Sequence, residues 1–200
     1  MISRTRYCTH TIDWDDNIAK SFSSIFHKYK LILVCGVIGS GKSHFIKSVR
    51  EGPLYTKGYW SAQIILENMF PNMNNFDQTI FEYIRKSEEI LIPAALNTER
   101  HQLFVEGWYR MPSQRAKLRA YTQAATLCVV LDGPTEAIAH RAIHGHHKEI
   151  YTEDELNLLI AQQKATFHWP KKSEGFDQVI YVNTFQEEGR KYFVESTHEG

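Results

Sequence analysis

Residues 36–43 of this sequence have the pattern G-x-x-x-x-G-K-[ST], which is specific for binding phosphate groups. In such a loop the small residues let backbone N–H groups converge on a phosphate, and the helix that follows adds partial positive charge. Lys42 can reach the β- and γ-phosphates, and the Ser43 hydroxyl can bind Mg²⁺. The pattern therefore predicts a site for magnesium and a nucleoside triphosphate. Its predicted ligands are Gly36, Gly39, Ser40, Gly41, Lys42, Ser43 and His44.

The elements around the loop are those that such a motif requires. An apolar run at residues 31–35 predicts a buried strand before it, and residues 44–50 are compatible with a helix after it. Short, continuously apolar strands separated by helices indicate an α/β fold, in which helices cover both faces of a parallel sheet. The other predicted strands are 54–57, 103–106, 126–131 and 179–182, and the other predicted helices are 60–69, 76–89, 112–125, 135–144 and 152–167.

Both ends of the chain fall outside this alternation. Residues 6–12 predict a short strand and residues 15–30 an amphipathic helix, so we expect residues 1–30 to form an extension packed on a domain of residues 31–200. Residues 192–194 predict an edge strand. Pro93 is expected to interrupt or restart the helix that precedes the second core strand.

The composition excludes several classes of protein. Lys plus Arg and Asp plus Glu number 23 each, so any binding to nucleic acid must come from a local patch of charge. No apolar stretch approaches the roughly 18 residues of a membrane span, and the N-terminus has no apolar core of a signal peptide. We therefore expect a cytoplasmic protein with no membrane partner. The three widely spaced cysteines favour buried thiols over disulfides or a metal site.

Three segments of the second half resemble polynucleotide-kinase-type P-loop kinases, a family with phage-encoded members. Residues 104–107 with 112–115 resemble the strand and the D-G-T-N-x-x-P-x-x-R segment of that family. Residues 129–134, followed by Arg141, resemble its fourth strand and lid helix, and residues 170–177 resemble its P-x-x-x-E-G-F-D segment. The resemblance implies ATP-dependent transfer of a γ-phosphoryl group to a hydroxyl, with Mg²⁺ as cofactor.

The resemblance covers about residues 31–182 and also implies a lid at about residues 141–152. Family members carry arginines in this lid that bind the phosphates, and Arg141 stands where the first of them is expected. Lys148 could serve as a point charge in place of another, whereas histidines would add charge only at lower pH. The remaining lid positions depart from the family pattern and hold His144, His146 and His147.

A second departure concerns the catalytic base. Family members carry an aspartate just after their second strand, but residues 58–63 of this chain contain no carboxylate. The nearest candidate is Glu106, at the C-terminal end of a predicted core strand, where open α/β sheets bind their ligands. We predict Glu106 to be catalytic, as a base or by holding the magnesium shell, with a structural hydrogen bond as the alternative. Asp132 occupies a similar position and is better explained as a strand-end or capping residue.

The residues after Glu106 bear on the acceptor. Up to Thr126 every charged side chain is basic, and aromatic residues lie among them: Arg110, Arg115, Lys117 and Arg119, with Trp108, Tyr109 and Tyr121. Positive charge mixed with aromatic rings suits a phosphodiester backbone with unstacked bases, although a solvated helix face is the alternative. We predict substrate binding by Arg110, Arg115 and Trp60. Trp60 would form an apolar floor for a base or sugar, unless it packs in the core.

These features favour a nucleic acid, with DNA as the expected partner. Two hydroxyls fit: the 5′-hydroxyl of a polynucleotide, and a hydroxymethylated pyrimidine base that is swung out of the duplex. Nucleosides, nucleotides and nucleotide sugars are the alternative acceptors. Because the usual base is missing and the lid is poor in arginine, a catalytically weak ATP-binding regulator is an interpretation from a different class.

Overall fold

A seven-stranded sheet forms the centre of the protein in the computed structural model, which describes residues 8–13, 25–50, 57–69, 78–98, 102–144, 151–184 and 191–196. Its order is β1-β7-β6-β5-β2-β4-β3. The strands from β6 to β3 are parallel, whereas β7 runs antiparallel to both β6 and β1. In chain order the strands are β1 (Cys8–Asp13), β2 (Leu31–Cys35), β3 (Lys57–Ser61), β4 (Gln102–Gly107), β5 (Thr126–Asp132), β6 (Gln178–Asn183) and β7 (Lys191–Ser196).

Helices connect the parallel strands, and local sequence explains where several of them begin. The fourth helix has Pro112 in its first turn, where a missing N–H costs nothing. The sixth begins with a capping box, in which Thr152 N donates to the Glu155 carboxylate at 2.8 Å and Glu155 N donates to Thr152 Oγ1 at 3.3 Å. The helices are α1 (Lys42–Arg50), α2 (Ala62–Met69), α3 (Gln78–Leu96), α4 (Pro112–Arg119), α5 (Thr135–Ile143) and α6 (Glu153–Ala165).

The core lies on both faces of the sheet, and β2 contributes to each in alternation. Ile32 and Val34 belong to the cluster that contains Phe45 of α1. Leu33 belongs to the opposite cluster, which contains Ile92 of α3. Every residue of β2 is buried, because a parallel strand covered on both sides has no solvent face. The predicted α/β fold, with helices on both faces of a parallel sheet, is therefore confirmed.

Two predicted elements differ because tertiary contacts outweigh local preference. Trp60 lies in β3 rather than in the predicted helix, since the whole strand pairs with β4. The helix α3 continues through Pro93 instead of being interrupted there. A proline removes one helical hydrogen bond, but Ile92 and Leu96 beside it are buried in the core and hold the helix in place.

The end of one helix and the position of one strand in the sheet also differ from the predictions. The helix α4 ends at Arg119, and turns follow it, with Thr122 N donating to Arg119 O at 3.2 Å. The strand β7 is not an edge strand, because β6 and β1 flank it on either side.

The N-terminal part contributes β1 to the sheet and Phe26 to the core, where its ring meets Phe45 and Phe104 at centroid distances of 6.2 and 5.9 Å. Most of the helix predicted at residues 15–30 lies outside the described residues, as do residues 145–150 of the predicted lid. None of the helices that the structure describes has the length and apolarity to cross a membrane.

Candidate active site

The phosphate-binding loop joins β2 to α1, and its glycines are required by close packing. A Cβ atom on Gly36 would lie 2.4 Å from Leu131 O, on the neighbouring strand β5. Gly39 has φ +71°, and a Cβ there would lie 2.8 Å from Ala142 Cβ of α5. Neither position could hold a larger side chain, so the loop is pressed between the sheet and α5.

Lys42 begins α1 and folds back over the loop. Its Nζ donates hydrogen bonds to Gly36 O at 3.1 Å and to Val37 O at 2.9 Å. Desolvation by burial lowers the pKa of Lys42, and the negative charge of Glu106 opposes that shift. An anionic phosphate beside the ammonium would favour the charged form, as expected of a phosphate ligand.

A carboxylate lies beside the first turn of α1. Glu106, at the end of β4, is 7% exposed, and its Oε1 accepts a hydrogen bond from Ser43 Oγ at 2.8 Å. Its Oε2 accepts a hydrogen bond from the Tyr59 hydroxyl of β3. Burial, with the hydrogen bond and charge of Glu106, raises the pKa of Tyr59 well above its usual range, while hydrogen bonds with Ser61 and Ser43 oppose the shift.

These side chains fit the chemistry of the groups that the loop pattern implies. Magnesium prefers hard oxygen ligands, and the Ser43 hydroxyl and Glu106 carboxylate supply adjacent ones. Ser40 Oγ inside the loop is buried and has no hydrogen-bond partner among the described residues. Because a buried hydroxyl normally finds a partner, an orphaned one in a phosphate-binding loop is consistent with a ligand that accepts from it.

Arg141 of α5 reaches the loop from the side opposite Glu106's strand. Its Nε and Nη2 donate to Gly39 O at 3.0 and 2.7 Å, and Nη2 also lies 3.3 Å from Thr184 Oγ1. A Cβ built on Gly41 would lie 3.3 Å from Arg141 Nη1. The structure thus brings the predicted lid arginine against the loop, within the span where phosphates are expected.

The loop is held on a second side by α6. Gln163 Oε1 accepts a hydrogen bond from Ile38 N at 2.9 Å, which ties the outer turn of the loop to this helix. Lys164 of the same helix forms an ion pair with Asp132 Oδ1 at 2.8 Å, at the end of β5. This contact agrees with the prediction that Asp132 is a strand-end residue.

The predicted substrate residue Arg115 is not part of a surface. Its side chain is 0% exposed, and its Nε and Nη2 each donate to the Glu174 carboxylate at 2.7 Å. Burial alone would lower the pKa of Arg115, but the hydrogen bonds and charge of Glu174 outweigh it and raise that pKa. The assignment of Arg115 to substrate binding is wrong, because its guanidinium is committed to a buried ion pair.

The other cations of this segment are exposed or partly buried, and they have different partners. Lys117 pairs with Glu89 of α3 at 2.7 Å, and Arg119 donates to Glu174 O at 2.7 Å. Arg110 differs from both, since its guanidinium lies over the Trp108 ring at 5.1 Å from the centroid and no ion pair is recorded for it among the described residues. The predicted role of Arg110 in substrate binding therefore stays a prediction, and its guanidinium is the one of the three predicted substrate side chains that neither the core nor a buried ion pair holds among the described residues.

Trp60 is not a floor of the site. It is 6% exposed and packs in the cluster on the sheet face opposite Glu106, which also contains Ile92 and Leu96. Successive strand residues point to opposite faces, so Tyr59 shares the face of Glu106 and Trp60 does not. Trp60 therefore packs in the core, which was the alternative to the predicted floor, and the alternation along β3 is the signal that could have found Tyr59 on the side of Glu106.

Two segments that carry the family resemblance meet in the structure. Besides the pair of Arg115 and Glu174, Asp177 Oδ2 accepts a hydrogen bond from Thr126 N at 2.7 Å.

Near the predicted lid, His140 and His144 stack edge to face at 4.4 Å. The described residues hold no cluster of His, Cys, Asp or Glu that could bind a metal. The Arg115–Glu174 and Thr126–Asp177 contacts, in contrast, stabilise the scaffold behind the site.

The sheet order, the loop and the flanking helices define a P-loop kinase fold, and comparison with solved structures agrees. A gluconokinase from Sinorhizobium meliloti 1021 is 20% identical over 80% of this chain and 85% of its own, with a TM-score of 0.54. A chain of the Pnkp1/Rnl/Hen1 RNA repair complex is 21% identical over 74% of this chain and 46% of its own, with a TM-score of 0.55.

A third similar structure, from the AvrRxo1-ORF1:-ORF2 complex, is 13% identical over 90% of this chain and 62% of its own, with a TM-score of 0.58. No family model matches the sequence, and no curated protein matches it. At these identities the comparisons establish the fold alone. The protein has the fold of P-loop kinases.

Proposed function

We propose that the protein is an ATP- and Mg²⁺-dependent phosphotransferase that moves a γ-phosphoryl group onto a hydroxyl. The observation that carries this proposal is the contact of Ser43 Oγ with Glu106 Oε1 at 2.8 Å, beside the start of α1. A hydroxyl and a carboxylate at this position are the oxygen ligands of a magnesium shell. With Lys42 and Arg141 against the same loop, the site combines metal ligands with positive charge.

Each residue then has a distinct role. Lys42 and Arg141 would stabilise the negative charge on the transferring group, and Ser43 with Glu106 would hold Mg²⁺, which would supply further positive charge at the phosphates. The bond from the γ-phosphorus to its bridging oxygen breaks, a bond to the acceptor oxygen forms, and the acceptor loses its proton. Because the transition state is loose, positioning and electrostatics matter more than a strong base.

For the acceptor we propose a hydroxyl of a nucleic acid, either a polynucleotide 5′-hydroxyl or a hydroxymethylated pyrimidine in DNA. Arg110 over Trp108, four and two residues beyond Glu106, supports this class, since it pairs a cation and a ring just after the end of β4. A small-molecule acceptor is the second candidate. It is favoured by the burial of Arg115 in its pair with Glu174, which removes one cation from any extended nucleic-acid surface, and by the pairing of the exposed Lys117 with Glu89, which offsets its charge there.

Transfer of labelled γ-phosphate from ATP tests these proposals. The acceptor panel holds 5′-hydroxyl oligonucleotides, hydroxymethylated DNA with blocked ends, free nucleosides and nucleotides, and sugars, and mass spectrometry locates the label. Label on a nucleic acid supports the proposed acceptor, and label on a small molecule supports the second candidate. Bound ATP without transfer to any acceptor would indicate a regulator and contradict the proposed activity.

A matched pair of variants identifies the site responsible. Lys42→Ala removes the ammonium of the loop and should abolish transfer, while Lys28→Ala makes the same change at an exposed lysine outside the loop and should not. Equal transfer by both variants would mean that the activity arises elsewhere.

A further inference from the structure

The hydroxyl of Tyr59 has a place in the site that the roles above do not explain. Tyr59 and Ser61 of β3 face the same side of the sheet as Glu106 of β4, and Ser61 is the direct register partner of Glu106. At this end of β3, the side chains on the side of Glu106 are the hydroxyl-bearing Tyr59 and Ser61. The hydroxyl of Tyr59 donates its hydrogen bond to Glu106 Oε2.

The Glu106 carboxylate is thereby held from two sides. Ser43 Oγ donates to Oε1 and the Tyr59 hydroxyl donates to Oε2, so the two oxygens have different partners and the plane of the carboxylate is restrained. Hydrogen bonds to a charged acceptor are stronger than those between neutral groups. Residues that hold a metal-binding carboxylate in this way commonly influence metal affinity by about 10–100-fold.

We propose that Tyr59 is a positioning residue, which orients Glu106 so that its Oε1 serves the magnesium shell together with Ser43. This inference rests on the proposed function and extends it, because it assigns Glu106 to the metal and not to the acceptor proton. Both oxygens of Glu106 already accept a hydrogen bond, Oε2 from the Tyr59 hydroxyl and Oε1 from Ser43 Oγ. Loss of the acceptor proton then depends on the loose transition state and on solvent, with no carboxylate of β3 available.

The prediction is that removing this one hydroxyl weakens metal binding and leaves the nucleotide contacts of the loop unchanged. Tyr59→Phe keeps the ring, which packs against the core cluster on the α1 face. Tyr29→Phe is the matched control, since Tyr29 packs against the same cluster and its hydroxyl donates to Gln178 Oε1 at 2.6 Å, away from the loop.

The experiment measures binding of a non-hydrolysable ATP analogue by calorimetry, with chelator and across a Mg²⁺ titration, and repeats it with Mn²⁺ read by electron paramagnetic resonance. No acceptor is needed. We expect Tyr59→Phe to raise the metal concentration for half-maximal effect by about 10–100-fold, with metal-free nucleotide affinity unchanged. Tyr29→Phe should match the wild type in both quantities.

A double-variant comparison separates positioning from a general disturbance. Glu106→Gln should weaken the metal effect at least as much as Tyr59→Phe, and the double variant should be no worse than Glu106→Gln alone, because both changes act through one carboxylate. Melting temperatures of Tyr59→Phe and Tyr29→Phe should fall by similar amounts.

The outcomes distinguish the inference from the function on which it rests. A wild type whose nucleotide binding does not respond to metal would overturn the proposed function and the inference together. A metal-responsive wild type with an equally responsive Tyr59→Phe variant would overturn the inference alone. Additive losses in the double variant would also overturn it, since Tyr59 would then act by a route other than Glu106.

Discussion

The proposed nucleotide side and the proposed acceptor side of the site both contain a run of polar residues, but the two runs are built differently. On the nucleotide side, residues 36–43 form one continuous loop whose polar groups surround a single position. On the acceptor side, residues 108–119 spread their cations in three directions, toward Glu174, toward Glu89 and over Trp108. Local spacing decides the first arrangement, whereas distant partners decide the second.

The contrast teaches when a charge in a sequence can be assigned to a ligand. Lys42 belongs to a loop whose backbone geometry admits few alternatives, because glycines are required at its closest contacts. Arg115 lies in an ordinary helix, and its partner Glu174 is 59 residues away along the chain. A basic residue on a helix has no fixed role until the elements around it have packed.

The largest expected effect is a loss of stability on removal of the buried ion pair between Arg115 and Glu174, which belongs to the scaffold of the proposed acceptor side. Arg115→Ala leaves the Glu174 carboxylate, 15% exposed, without its bidentate partner, and we expect a loss of about 3–5 kcal/mol in the free energy of unfolding. Denaturant unfolding measures it, with Arg110→Ala as the control that should change little. Wild-type stability combined with poorer acceptor binding would restore Arg115 as a substrate residue.

The next largest effect is expected on turnover, when the positive charge of Lys42 is removed from the phosphate-binding loop. Lys42→Ala removes a group that stabilises the transferring phosphoryl, and we expect turnover to fall by about 10²–10³-fold or more. Steady-state kinetics with the acceptor found in the panel measure the change, and melting temperature should hardly fall. A loss of stability comparable with that of Arg115→Ala would contradict the contrast between a functional cation and a structural one.

A smaller effect is expected at Arg110, a partly exposed cation of the proposed acceptor side. Its guanidinium lies over Trp108, so replacement by alanine removes a cation–π contact and a charge near the acceptor. We expect the acceptor KM to rise by a few-fold, equivalent to about 0.5–1 kcal/mol, with the ATP KM unchanged. For a nucleic-acid acceptor the variant should also show weaker dependence on salt. An unchanged acceptor KM would remove Arg110 from the substrate residues.

The smallest effect concerns pH. Glu88 of α3 accepts a hydrogen bond from the Tyr109 hydroxyl at 3.0 Å, and burial raises the pKa of this carboxyl although the hydrogen bond opposes the shift. A raised folded-state pKa stabilises the fold below the unfolded value, and this contribution is lost as the pH rises through the folded value. Glu88→Gln should therefore gain stability relative to the wild type as the pH rises from about 4 to 7. Unfolding curves of both proteins across this range measure the difference, and a constant difference would contradict the prediction.

The loop and the central strands were predictable because their signals are local. Residues 31–35, 103–106, 126–131 and 179–182 are apolar runs, and each lies inside an observed parallel strand. The strand β3 was assigned partly to a helix, since its run of lysine, glycine, tyrosine, tryptophan and serine has little strand pattern of its own. Pairing with β4 decides its structure, and it also decides that Tyr59 faces Glu106 while Trp60 enters the core.

The sequence by itself determined that the chain contains a phosphate-binding loop in an α/β fold, because glycine geometry and apolar runs act over a few residues. Only the tertiary structure decided which side chains meet at the end of that loop. Ser43, Tyr59 and Glu106 come from three separate elements, and parallel pairing of β3 with β4 brings the last two together. Likewise, the charge of Arg115 was visible in the sequence, but its burial depends on Glu174, since an unpaired ion would be too costly to remove from water.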